Sequence, residues 1–416
     1  MNTSVFENIE SNVRSYCRSF PTVFTKAKGS VMTDENGKEY IDFFAGAGAL
    51  NFGHNPDQIN QKLISYLQSD GVVHSMDMYT APKREFLEYF NEHILKPRGL
   101  NYKVQFAGPT GTNAVEAAVK LARKVKGRQN IFALMGAFHG MTLGALSLTT
   151  DRCSREGAGQ SLANVTHVPA PDMFPELDTI AYMERLITDD HSGIEKPAAI
   201  VLETVQADGG INVFPAQWLV RLRDLCDRYD ILLVADDIQV GCGRTGTFFS
   251  FERANIVPDI VTISKSIGGC GMPLALVLFK PELDIWEPGQ HTGTFRGNQL
   301  SLIAGKAGLE TFVELDLESD VKRKAKIVDA YLRDEICSLS NKISYRGIGL
   351  IWGVDFSAFD RDMTKPLIAA CFKNGLIVER VGRDNNVLKL MPPLVIEDAM
   401  LLKGLEILKQ SIKEIL

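Results

Sequence analysis

The chain has 416 residues, 45% hydrophobic and 23% charged, enough to bury a sizeable core without disulfides or structural metals, so disorder is excluded as its main theme. Its 45 basic and 51 acidic residues leave a net charge of −6 with the signs interspersed, which is not the footprint of a nucleic-acid or membrane-surface binder and points to small-molecule ligands. Seven scattered cysteines without a C-x-x-C spacing, an N-terminus lacking a basic and then apolar leader pattern, and no run of about 18 apolar residues predict a reducing, cytoplasmic setting with no membrane span.

Residues 1 to 50 are expected to belong to a smaller α+β domain completed by residues 305 to 416, around a large domain over 51 to 304. Within the large domain the first informative stretch is Val104 to Phe106, a short strand followed by the turn Ala107-Gly-Pro-Thr-Gly-Thr112. The spacing of Val115, Ala118, Val119, Ala122 and Val125 predicts a helix starting near Asn113, with Gly127 as its stop. Such a turn offers backbone N–H groups, a hydroxyl and the positive end of a helix, which together hold a phosphate without a cation. Taken alone it is more often only a tight connection. Ile131 to Met135 is a further apolar run leading to Phe138-His139-Gly140. A lone histidine is most often a packing residue, and no His-x-x-x-His or His-Glu-x-x-His spacing marks a metal site, whereas its aromatic neighbour could stack on a flat cofactor.

Three more runs end in ionisable residues: Ala198 to Leu202 in Glu203, Ile231 to Ala235 in Asp236, and Asp259 to Ser264 in Lys265, with a helix-patterned stretch from Ala216 to Tyr229 between the first two. Short β-branched runs alternating with helical segments predict an α/β fold with a mostly parallel sheet and helices on both faces. Ligands bind such sheets outside the carboxyl ends of the strands, so Glu203, Asp236 and Lys265 are expected to converge there. Downstream, helical runs cover Leu300 to Leu315, Asp320 to Ile336 and the tail from Glu397, while Gly347-Ile-Gly349 and Pro392-Pro393 punctuate the strands of the smaller domain.

A desolvated lysine at a cleft is the nucleophile that forms Schiff bases with carbonyl compounds, pyridoxal phosphate included. A carboxylate such as Asp236 would complement that cofactor by keeping its pyridine nitrogen protonated. Two other chemistries are open to the same residues. Asp236 and Asp237 form a pair able to hold Mg²⁺ over a phosphate, but the chain has no Gly-x-x-x-x-Gly-Lys-Ser/Thr loop to go with it. Gly241-Cys-Gly-Arg-Thr-Gly246 matches the dinucleotide fingerprint of nicotinamide oxidoreductases, yet Thr-Phe-Phe-Ser-Phe follows it instead of the amphipathic helix that fingerprint requires.

The set resembles the class III aminotransferases, fold-type I pyridoxal phosphate enzymes related to ornithine and 4-aminobutyrate aminotransferases. The most specific stretch is Leu233-Val-Ala-Asp-Asp-Ile-Gln-Val-Gly-Cys-Gly-Arg-Thr-Gly246 with Pro258-Asp-Ile-Val-Thr-Ile-Ser-Lys265. The resemblance implies Lys265 as the lysine that bonds the cofactor and Asp236 as the partner of its ring nitrogen. Ile238 and Phe138 would press on opposite ring faces, with His139 and Glu203 beside them, and Gln239 would reach the ring oxygen. Gly111 and Thr112 would hold the phosphate. Thr294, in Thr292-Gly-Thr-Phe-Arg-Gly-Asn298, would reach the phosphate of a neighbouring subunit, which implies a homodimer or a dimer of dimers, with no metal.

Closer still, Ser4-Val-Phe-Glu, Arg14-Ser-Tyr-Cys-Arg-Ser-Phe-Pro21, Asp42-Phe-Phe-Ala-Gly-Ala-Gly-Ala-Leu-Asn51 and Gly293-Thr-Phe-Arg-Gly-Asn298 look like the branch of diaminobutyrate aminotransferases that opens ectoine biosynthesis. That branch moves an amino group from L-glutamate to L-aspartate 4-semialdehyde, with other ω-aminotransferases, and aminomutases or racemases using the same cofactor, as alternatives. The family's Glu-Pro-x-Gln-x-Glu reads Glu203-Thr-Val-Gln-Ala-Asp208 here, and the arginine before its Pro-Pro is Lys389. Asp208 and Lys389 are therefore the candidate substrate contacts, and lysine lacks the bidentate clamp of a guanidinium.

Overall fold

The computed structural model describes residues 3–159, 162–171 and 173–416. Its centre is a seven-stranded sheet of β1 (Lys103–Phe106), β2 (Ile131–Leu134), β3 (Val165–Val168), β4 (Ala199–Leu202), β5 (Leu232–Asp236), β6 (Ile260–Ile263) and β7 (Leu276–Phe279), in the spatial order β1-β7-β6-β5-β4-β2-β3. Only β7 runs against its neighbours. These strands read as unbroken apolar runs because both faces are covered. Ile131, Ala133, Ala199, Val201, Leu232, Val234 and Ile260 pack into one core, while the alternate residues Phe132, Leu134, Ile200, Leu202, Leu233, Ala235 and Val261 pack into the other.

The helix Gly111–Lys126 covers the first of these faces with Ala114, Ala117, Ala118 and Ala122, whose small side chains let it approach the sheet closely, and Gly127 ends it in the left-handed conformation at φ 60°. It begins two residues before the expected Asn113. Gly111 and Thr112 consequently lie in its first turn, where helix geometry leaves the amides without intrahelical acceptors.

Two four-stranded sheets flank the core. One pairs Phe24–Lys28, Val31–Asp34 and Glu39–Asp42 with Leu376–Ile377, which brings the two ends of the chain together. The other contains Ser344–Ile348, Ile351–Asp355, Val387–Leu390 and Glu379–Val381. Gly347, expected in a turn, lies within a strand, where a Cβ would sit 2.6 Å from the Trp352 ring; the turn itself falls at Gly349. The run expected from Asp320 begins at Leu317 and closes through a wider helical turn over Leu332–Ile336.

The residues 241–246 form consecutive turns followed by bends and one short 3-10 turn over Ser250–Ala254, not by an α-helix, and Gly243 and Gly246 have φ near 90°. A Cβ at Gly243 would meet the Phe312 ring at 2.5 Å. Arg244 is fully buried and donates to Asn51 Oδ1 and to the carbonyls of Leu350 and Pro392. The glycines thus serve close packing around an arginine that ties three distant segments together, and the dinucleotide reading has no helix to receive a pyrophosphate.

Candidate active site

Three strands end at one cavity of about 260 Å³, lined by Gly111, Thr112, Phe138, His139, Glu203, Asp208, Asp236, Ile238, Gln239 and Lys265 among others. The parallel strands β4, β5 and β6 are adjacent, so their carboxyl ends deliver Glu203, Asp236 and Lys265 side by side. Ten of the twelve residues expected from the sequence therefore meet at one hollow, and Lys389 reaches it through Asp208 and Gln239. Thr294 does not line it. That residue is exposed, with its carbonyl accepting from His74 Nε2 at 2.7 Å, and its neighbour Gly293 packs against Gly108 of the turn before the helix.

Asp236 is held by three donors: His139 Nδ1 at 2.6 Å and Thr262 Oγ1 at 3.2 Å from side chains, and the Ile238 amide at 3.1 Å. Burial works against charge on His139, but the hydrogen bond and field of Asp236 outweigh it and lift the imidazole above its ordinary pKa. The Nε2 of His139 is buried without a protein partner. Glu203 accepts from the amides of Phe138 at 3.0 Å and Ala207 at 3.2 Å, and burial pushes its carboxyl up to about 7. Burial also draws the Lys265 amine below the ordinary lysine value, which is the direction a nucleophile or proton carrier requires.

Lys265 occupies the left-handed region at φ 54°, an uncommon conformation for a residue with a side chain. The turn it opens, Lys265–Gly268, is followed by Gly269, where a Cβ would lie 2.2 Å from the Ala304 carbonyl oxygen. Across the cavity Ile238 abuts Gly111: a Cβ there would come within 3.0 Å of the isoleucine side chain. Thr112 Oγ1 shares a 2.6 Å hydrogen bond with Thr142 Oγ1, which in turn donates to Glu116 at 2.7 Å. An apolar slot between Ile238 and Phe138, a carboxylate at one edge and first-turn amides at one end together suit a flat, anionic aromatic group with a phosphate.

Asp237 turns away from Asp236, accepting from the amide and hydroxyl of Ser250, so the two carboxylates share no cation position. Burial pushes its pKa up to about 7. A carboxyl raised above its unfolded value of 3.8 contributes stability that is whole below pH 3.8 and disappears as pH climbs through 7. Asp237→Asn mimics the protonated form, so wild type should lose stability relative to this variant by on the order of 3 kcal/mol between pH 4 and 7.5. Denaturant titrations at several pH values check this, and a constant difference would show Asp237 ionised in the fold.

Two residues with no site role expected from sequence, Glu379 and Tyr16, belong to this neighbourhood. Glu379 stands directly opposite Lys389 across the strand pair Glu379–Val381 and Val387–Leu390, with 2.8 Å between Lys389 Nζ and Glu379 Oε2. Tyr16 donates to Glu379 Oε1 at 3.2 Å from 363 positions away. The only available signal was an opposed charge pair, and it becomes visible once the strand register is known.

The family model for class-III aminotransferases matches residues 14–412. Diaminobutyrate–2-oxoglutarate transaminases from Bordetella parapertussis and Nocardia farcinica are 49% and 52% identical to this chain, covering 100% and 99% of it and 96% and 94% of their own lengths. An ornithine aminotransferase from Toxoplasma gondii, whose structure has pyridoxal phosphate at the active site, shares the fold with a TM-score of 0.86 at 24% identity, over 99% of this chain and 93% of its own. A fold-type I sheet, a lysine and an aspartate at adjoining strand ends, and an alignment that runs over nearly the whole chain agree: the chain belongs to the class-III aminotransferases.

Proposed function

We propose that this chain is a pyridoxal phosphate-dependent transaminase that moves an amino group from L-glutamate to the aldehyde of L-aspartate 4-semialdehyde, giving L-2,4-diaminobutyrate and 2-oxoglutarate. The observation that carries the reading is the identity of about half of all positions, from end to end, to transaminases of that name. The cavity fits the cofactor on its own terms, since the orphaned Nε2 of His139 and the first-turn amides of Gly111 and Thr112 provide polar positions around an otherwise apolar slot.

Once bound, pyridoxal phosphate supplies a conjugated ring that accepts the electrons of the substrate's α-carbon. Asp236 holds negative charge where the ring nitrogen would lie, and His139 fixes the orientation of that carboxylate. Ile238 and Phe138 confine the ring faces and exclude water. The amides of Gly111 and Thr112 anchor the phosphate. The amine of Lys265 would hold the cofactor covalently and, once the substrate amine had taken its place there, would be free to take the proton from the α-carbon of glutamate and, in the second half of the cycle, to deliver one to the acceptor's carbon.

The two faces of the chain are divided into a large domain over 51 to 304 and a small one over 1 to 50 and 305 to 416, working in the cytoplasm at the head of ectoine biosynthesis. Seven free cysteines suit the reducing compartment. A homodimer, alone or paired into a dimer of dimers, is favoured by an exposed apolar surface beside the phosphate turn. Val72, Val73, Met76, Met78 and Tyr79 are exposed, Tyr79 fully, and this segment bridges Thr294–Gly297, where Phe295 is 64% exposed. Phe295→Glu is expected to lower the mass measured by light scattering to that of a monomer and to weaken cofactor retention. A monomeric wild type would rule this assembly out.

The direct assay supplies glutamate and aspartate semialdehyde to the purified holoenzyme and measures 2-oxoglutarate and diaminobutyrate. Failure to form 2-oxoglutarate would overturn the assignment.

A further inference from the structure

Lys389 Nζ donates to two residues of the cavity wall, Asp208 Oδ1 at 2.9 Å and Gln239 Oε1 at 3.3 Å, and lies 2.8 Å from Glu379 Oε2, an oxygen that is buried and accepts no hydrogen bond. Lys389 is buried, with its side chain 1% exposed, while Glu379 is 15% and Asp208 36% exposed. One ammonium set against two carboxylates leaves one negative charge uncompensated. Burial of Lys389 opposes its charge, but the fields of Asp208 and then Glu379 hold it firmly protonated, and Lys389 followed by Lys265 draws the Asp208 carboxyl below its ordinary value.

Among the described residues the other amine whose field reaches Asp208 and Glu379 is Lys265, and burial biases it toward its neutral form. Tyr16, packed against Phe44 with ring centroids 4.9 Å apart, gives Glu379 Oε1 only a neutral donor. Surplus negative charge in a low-dielectric pocket is costly unless a positive group joins it. The amino acid that would leave this site, 2,4-diaminobutyrate, carries such a group: its reacting amine is at one end and a second ammonium at the other.

We infer that Glu379, with Tyr16 donating to one oxygen and the other buried without a hydrogen-bond donor beside Lys389, is the specificity residue that receives the second ammonium group of a diamino substrate. The inference rests on the transaminase reading above and deepens it. Lys389 acts through the carboxylates it positions, so the family position usually filled by arginine here serves a cation-accepting site.

The test uses the holoenzyme in its amine-consuming half-reaction, followed by the cofactor spectrum. Wild type is given L-2,4-diaminobutyrate and 4-aminobutyrate, which differ only by the second amino group, and also 1,3-diaminopropane and n-butylamine, which lack the carboxylate. The inference expects kcat/KM to favour the diamine in both pairs, and Glu379→Gln to reduce each preference by about 10- to 100-fold, the range for a charged hydrogen bond. Glu379→Asp keeps the charge and should keep most of the preference. Equal use of 1,3-diaminopropane and n-butylamine by wild type would overturn the inference without recourse to any variant. So would an unchanged ratio in Glu379→Gln, or an aspartate variant as indifferent as the glutamine one. A wild type inert toward both glutamate and diaminobutyrate would instead refute the proposed function itself.

Discussion

Lys265→Ala is expected to reduce transamination by at least about 10⁴-fold while the protein stays folded, because the substitution removes both the covalent attachment and the proton carrier. The fold should tolerate it. Alanine and lysine carry the same Cβ, so the left-handed φ of 54° is no worse for the variant, and a burial-weakened amine contributes little as a charge. The thermal transition should remain within a few degrees of wild type, and borohydride should no longer trap the cofactor on the chain. A variant that turns over at a rate near wild type would remove Lys265 from the mechanism.

Asp236→Asn is the second large effect, expected to lower kcat/KM by about 10³-fold, in line with the loss of one preorganised electrostatic partner. The amide matches the carboxylate in shape but cannot accept from His139 Nδ1, the Ile238 amide and Thr262 Oγ1 together while remaining negative. His139 reports the change independently. Its pKa is held up by Asp236 against burial, so deleting the charge should drop it below the ordinary value for a histidine, as read by NMR titration of its ring protons. With the partner gone the imidazole becomes the neutral form throughout the neutral range. Retained activity within about tenfold, with His139 titrating as before, would contradict the assigned role of Asp236.

Three alternating apolar runs, each ending in a charged residue, were enough to place Glu203, Asp236 and Lys265 together before any coordinates, since a parallel sheet forces adjacent strand ends to share one edge. The turn before the helix was legible for the same reason, with the helix beginning two residues early because Thr110, in extended conformation, takes the N-cap position. Local pattern and strand order were therefore enough to expect the fold class and to bring Lys265 and Asp236 to one edge of the sheet.

What sequence could not disclose was register and long-range approach. Glu379 meets Lys389 only because two short strands align at that pair, and a one-residue slip would turn both away. Tyr16 arrives from the opposite end of the chain, and Arg244 is satisfied by carbonyls more than a hundred residues distant. The pattern singled out Asp236 at the strand end, but the partners that hold it and Asp237 apart, His139 for one and Ser250 for the other, appear only in the fold. Period and residue type are carried by adjacent positions, whereas charge balance in a pocket is a sum over groups that only folding brings together.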